Sequence, residues 1–126
     1  MQKSNEIIKI VYNEKIINPD DLARAAKVKY VLYPDGSQSV FEYDYDKKAY
    51  VLIEKAKKTN TEDFIKLSKC VDDLIRNATG IYTRDDDRDG TVTIFRAFGR
   101  AEKMDRSYGT EENCICELIT SYSNSF

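Results

Sequence analysis

At 126 residues, with 20 basic and 22 acidic side chains and a net charge of −2, the chain has the size of one ordinary domain. A hydrophobic fraction of 41% suffices for a packed core, and no run approaches the ~18 apolar residues that span a bilayer. The absence of histidine removes imidazole acid–base catalysis, Cys-His dyads and His-bound zinc, and the five scattered glycines form no phosphate-cradling loop.

Ser4 can cap a helix over 5–16, in which Ile7, Ile8, Ile10, Val11 and Tyr12 make an apolar stripe. Asn18-Pro19-Asp20-Asp21 predicts a second helix over 19–27, with a cap, a proline at the first position and acids at the positive end. A meander follows over 28–55. Its strands run from Val28 to Tyr33, Ser39 to Tyr45 and Tyr50 to Lys55, turned at Pro34-Asp35-Gly36 and Asp46-Lys47-Lys48. Phe64, Leu67, Val71, Leu74 and Ile75 recur at helical spacing and predict a helix over 61–77, closed by Gly80. A hairpin from Ile81–Arg84 to Thr91–Phe98, a loop over 99–112 and a last strand from Asn113 to Tyr122 complete the segment 80–122.

The sum is a single α+β domain over 1–126. Its antiparallel sheet has about five or six strands, with three helices packed mainly on one face. The start, Met1-Gln2-Lys3-Ser4-Asn5-Glu6, has no signal-peptide core, so a cytoplasmic location is expected.

Three cysteines, an odd count in a leaderless chain, read as reduced thiols. Cys114 and Cys116, two apart in a strand, face one way with Leu118 as small core residues. Asp85, Asp87, Asp89 and Gly90 match positions 1, 3, 5 and 6 of an EF-hand loop, but position 12 is Arg96 where a bidentate glutamate is needed. The stretch therefore reads as a polar hairpin tip with Asp89-Gly90 making the turn. Pro34-Asp35 and Asp46-Lys47-Lys48 carry the letters of a restriction-endonuclease metal site. One strand of about eight residues holds those carboxylates roughly 25 Å apart, too far to share an ion. No catalytic residue, metal ligand or cofactor is assigned, and no enzyme is expected.

What stands out is an acidic row. Val40, Glu42, Asp44 and Asp46 share one side of the second meander strand, and alternate strand carboxylates lie ~6.6–6.8 Å apart, close to the ~7 Å of successive phosphates. Tyr43 and Tyr45 bring amphipathic rings of the kind enriched at interfaces. Glu42, Asp44, Asp46, Tyr43 and Tyr45 thus form one candidate partner-binding surface, and the tip Asp85, Asp86, Asp87 and Asp89 a second. Residues 61–126 carry more acidic than basic side chains, so direct nucleic-acid binding is not expected despite Lys55, Lys57 and Lys58.

In size, acidity and mixed α/β content the chain is similar to small phage and mobile-element inhibitors of the anti-CRISPR type. That similarity implies a cytosolic, non-enzymatic binding protein that occludes a basic, nucleic-acid-binding surface of a host defence protein. The alternative is a nucleic-acid-associated or regulatory accessory module of a mobile element. Neither role involves a membrane.

Overall fold

The structure is a computed structural model that describes residues 6–82 and 88–126. In chain order its elements are β1 (Ile7–Ile16), a 3-10 turn (Leu22–Arg24), β2 (Ala26–Leu32), β3 (Ser37–Asp44), β4 (Ala49–Lys57) and α1 (Glu62–Asn77). Then follow β5 (Gly80–Ile81), β6 (Arg88–Arg96), β7 (Glu102–Asp105), β8 (Tyr108–Thr110), β9 (Asn113–Cys114) and α2 (Ile115–Asn124). A six-stranded antiparallel sheet runs β4-β3-β2-β1-β6-β7, and a second small sheet runs β5-β8-β9. The protein is α+β, with two helices among the described residues rather than the expected three.

Two corrections concern the N-terminal segment. Residues 7–16 form a central strand and not a helix, because Ile7, Ile8, Ile10, Val11 and Tyr12 are strand-favouring types that β2 and β6 flank on both sides. The pairing with β6 shifts register between Ile7 and Lys9, leaving Ile8 exposed, and this breaks the period-2 pattern. The segment 19–27 holds only the 3-10 turn, started by the Asp21 carboxylate accepting the Ala23 N–H at 3.2 Å, before Ala26 enters β2. So short a helix has little stability of its own against a full ladder with β1.

The meander and α1 stand where the sequence places them. Gly36, at φ +87, closes the β2–β3 turn, with the Tyr33 N–H donating to the Ser37 carbonyl at 3.0 Å. Further on, three expectations change. The segment 80–82 does not pair with its successor: Gly80 and Ile81 pair with Gly109 and Tyr108, while β6 lies between β1 and β7. The expected loop over 99–112 contains β7 and β8. The expected last strand survives only as β9, after which the chain turns into α2. Ile115, Cys116, Ile119 and Tyr122 are its buried residues, spaced i, i+1, i+4 and i+7.

Both helices cover one face of the large sheet. Phe64, Leu67, Val71 and Leu74 of α1 and Ile115 and Ile119 of α2 pack on Ile10, Tyr12, Leu32, Val92 and Ile94. Across the helix–sheet boundary, Arg96 donates from Nε to Glu102 at 2.5 Å and from Nη2 to Asp72 of α1 at 2.7 Å. The residue at position 12 of the calcium-like spacing is thereby held in ion pairs. Cys114 and Cys116 are buried as expected, their sulfurs 3.3 Å apart, and the Arg106 Nη1 donates to Cys116 Sγ at 3.8 Å. Among the described residues no helix is long and apolar enough to cross a membrane.

One core group makes stability depend on pH. The Tyr122 hydroxyl is buried without a hydrogen-bond partner among the described residues, and burial, with Asp63 and Asp35 contributing, pushes its pKa from 10.0 up to about 12. The folded state therefore favours the neutral phenol more than the unfolded chain does. Its contribution is complete below pH 10.0 and is lost as pH rises towards about 12. Urea unfolding between those limits should show stability falling with pH, and Tyr122→Phe should flatten that decline. An equally steep decline in the variant would place its origin in another group.

Candidate functional site

At its turn end the β3–β4 hairpin is open on the helix side, where Glu42, Ala49 and Ile53 are exposed. Glu42, Asp44 and Asp46 line one open cleft of about 400 Å³ there, together with Arg24, Val51, Ile53 and parts of Tyr43 and Tyr45. The cleft gathers the whole first candidate set. The row is shorter than the sequence suggests, because β3 ends at Asp44 and Asp46 belongs to the turn. One Asp44 oxygen accepts the N–H groups of Asp46 at 2.9 Å and Lys47 at 3.1 Å, so this carboxylate also holds the turn in shape. Glu42 and Asp46 are exposed, and Ile53 in the same cleft is 55% exposed.

The second candidate set is not joined to the first. Asp85, Asp86 and Asp87 lie outside the described residues. Asp89 is in β6, across from Lys15, and accepts its neighbour Gly90's N–H at 2.8 Å; β1 and β2 separate it from β3. Asp89-Gly90 is therefore ladder rather than turn. Asp35 and Asp46 sit in turns at opposite ends of β3. Asp35 accepts the Ser37 hydroxyl at 2.6 Å and the Ser37 N–H at 2.9 Å, bonds that lower its pKa.

The face of the sheet turned away from the helices carries a different chemistry, one that sequence reasoning missed. Alternation along each strand places the rings of Phe41, Tyr43 and Tyr50 on it beside the lysines of β1 and β2. Lys29 Nζ lies 5.0 Å from the Phe41 ring centre and 4.7 Å from that of Tyr50. Lys27 Nζ is 5.1 Å from Tyr43, and Lys9 Nζ is 4.4 Å from Phe95 of β6. Tyr43 meets Tyr45 and Tyr50 edge to face at 4.9 and 5.2 Å, and the Tyr45 hydroxyl donates to the Ala25 carbonyl at 2.7 Å. The signal was present in Lys27-Val28-Lys29-Tyr30-Val31, where lysine recurs every second residue. It gathers meaning only once Lys9 and Lys15 are known to lie on a neighbouring strand.

In comparison with known proteins, no family model matches the chain and no curated protein matches it.

Proposed function

We propose that this chain is a small, cytoplasmic, non-enzymatic binding protein that covers a basic surface of a partner protein, in the manner of a phage or mobile-element inhibitor of the anti-CRISPR type. The observation that carries the reading is the cleft at the end of the β3–β4 hairpin. Carboxylates of Glu42, Asp44 and Asp46 line it beside the apolar Val51 and Ile53, and outnumber the one cation there, Arg24. A lysine or arginine of a partner fits such a site, its stem on Ile53 and its charge among the acids. The cleft is open, which suits a side chain presented by a protein surface better than an enclosed small molecule. A nucleic-acid-binding effector offers many such cations, and opposite fields accelerate its capture.

The test is capture from a host lysate with immobilised protein, identification of the bound protein, and its affinity for a Glu42→Gln, Asp44→Asn, Asp46→Asn variant. Asparagine at position 44 keeps an oxygen for the turn, and exposed substitutions change stability by under ~0.5 kcal/mol. Affinity is expected to fall about 10-fold or more, and wild-type binding should weaken with salt, screened within ~8–10 Å. Asp89→Asn, measured separately, should have little effect. Equal affinity of the triple variant and the wild type would remove the acidic cleft from the interface.

A further inference from the structure

We propose that the face of the large sheet opposite the helices is a platform for single-stranded nucleic acid. The inference does not rest on the acidic cleft. It begins with how the strands sort their charges. Successive strand residues point to opposite faces, so β1 directs Lys9 and Lys15 to the open face and Glu14 to the helix side. In the same way β2 directs Lys27 and Lys29 to the open face, and β7 directs Lys103. Glu42 and Asp44 of β3, Glu54 of β4 and Glu102 of β7 all lie on the helix side. The β4 bulge, where the pairing shifts between Val40 and Phe41, returns Lys55 to the open face opposite Ser39. Among the described strand residues two carboxylates do share this face, Asp89 and Asp105, at the β6–β7 side. Asp105 is occupied by the Ser107 N–H at 2.8 Å. Over β1 to β4 the face is therefore positive although the chain as a whole carries −2. The acidic excess of residues 61–126 was the ground for expecting no nucleic-acid contact, and this face draws its lysines from β1 to β4, outside that segment.

Positive charge alone would suit any polyanion. The rings narrow the choice. Reading across the strands, Lys29 stands between Asn13 of β1 and Phe41 of β3, and Leu52 of β4 follows Phe41. The next row holds Tyr43 and Tyr50 as direct partners, with Lys27 resting on Tyr43. Ammonium groups of β1 and β2 thus stand beside rings of β3 and β4 on a surface that is roughly 24 Å wide across its six strands. An unstacked base needs a flat ring and its phosphate needs a nearby cation, in repeating order, which is what sequence-tolerant single-strand binders supply. The lysines that now lie on the rings are half-buried and held by weak cation–π contacts, and a phosphate draws them aside while a base takes the ring. A duplex keeps its base faces stacked inside and cannot use the rings. Tyr50 and Leu52, 37% and 46% exposed, keep the β4 side of the platform accessible.

Fluorescence anisotropy tests this with labelled oligo(dT) and oligo(U) of roughly 12 nucleotides, with a duplex of equal length and with polyglutamate as competitors. The single strands should bind, and neither competitor should displace them at matched charge. Lys27→Gln with Lys29→Gln should weaken binding about 10-fold and make the log–log salt slope shallower by ~0.7 per lysine. Tyr43→Leu with Tyr50→Leu keeps apolar bulk but removes the stacking faces, and should weaken binding by about 10-fold or more. Circular dichroism verifies that each variant folds, and amide shifts in the wild type, which need no variant, should cluster on β1 to β4 and spare α1. Glu42→Gln with Asp46→Asn should leave oligonucleotide affinity unchanged or raise it, which separates this surface from the cleft. Absence of binding by the wild type would overturn the proposal. So would displacement by duplex or polyglutamate, insensitivity to the lysine or tyrosine pairs, or loss of binding in the cleft variant.

Discussion

Gly90→Ala is expected to destabilise the protein by about 3 kcal/mol, towards the upper end for forcing one extra methyl into a packed site. A methyl group at Gly90 would sit 2.1 Å from the Asn13 carbonyl oxygen and 3.2 Å from the Glu14 Cα, both main-chain atoms of β1. Neither can rotate away as a side-chain tip would. Relief requires β1 and β6 to part in the middle of the sheet, next to Val92 and Tyr12, which are packed on the helices. If Gly90 merely made an Asp-Gly turn with positive φ, alanine would cost only about 1–2 kcal/mol. Urea unfolding distinguishes the two by its midpoint, with an unchanged m-value, and amide exchange at Asn13 and Thr91 should accelerate. A loss below 1 kcal/mol would mean that the two strands do not approach as described.

Lys58→Ala should lower stability by about 3 kcal/mol, a large effect for a lysine. Sequence alone places Lys58 in a basic link between elements, yet its side chain is buried. Its ammonium lies 4.8 Å from the Tyr122 ring centre and 4.7 Å from that of Phe126, bonds to the Ser125 hydroxyl and is 3.6 Å from the Asp63 carboxylate. Its N–H donates to the Gly36 carbonyl at 3.0 Å, so one residue joins the β2–β3 turn, the start of α1 and the end of α2. A cation there also meets the negative end of the α2 dipole. Lys58→Met separates charge from packing. Methionine keeps most of the stem and should lose about 1–2 kcal/mol, the scale of the desolvated cation–π and helix-end terms. A methionine variant as stable as the wild type would show that desolvation of the charge offsets those contacts.

Nearest-neighbour chemistry accounts for what the sequence by itself determined. Pro34-Asp35-Gly36 makes its turn because proline presets one dihedral and glycine accepts the positive φ, whatever surrounds them. α1 follows from Phe64, Leu67, Val71 and Leu74 at 3- and 4-residue spacing, all of them buried. The burial of Cys114 and Cys116 was equally legible, since small thiols without ligand partners belong in a core. The acids and tyrosines of the first candidate set meet at one cleft because they sit within a few residues of one hairpin.

Tertiary structure decided the rest, wherever two periods competed or distant strands had to be aligned. The run from Ile7 to Tyr12 suits a helical stripe or a central strand, and the ladders from β2 and β6 settle it. Ile115 to Tyr122 is rich in β-branched residues, but packing on α1 and the sheet rewards the helical spacing of Ile115, Ile119 and Tyr122. Lys58 becomes a core residue because the two ends that surround it, the β2–β3 turn and the end of α2, are remote in sequence. The lysine–aromatic face depends on register most of all. A slip of one residue would send Lys27 and Lys29 to the helix side, and only the pairing of β1 with β2 and of β2 with β3 brings Lys9, Lys29 and Phe41 to one surface.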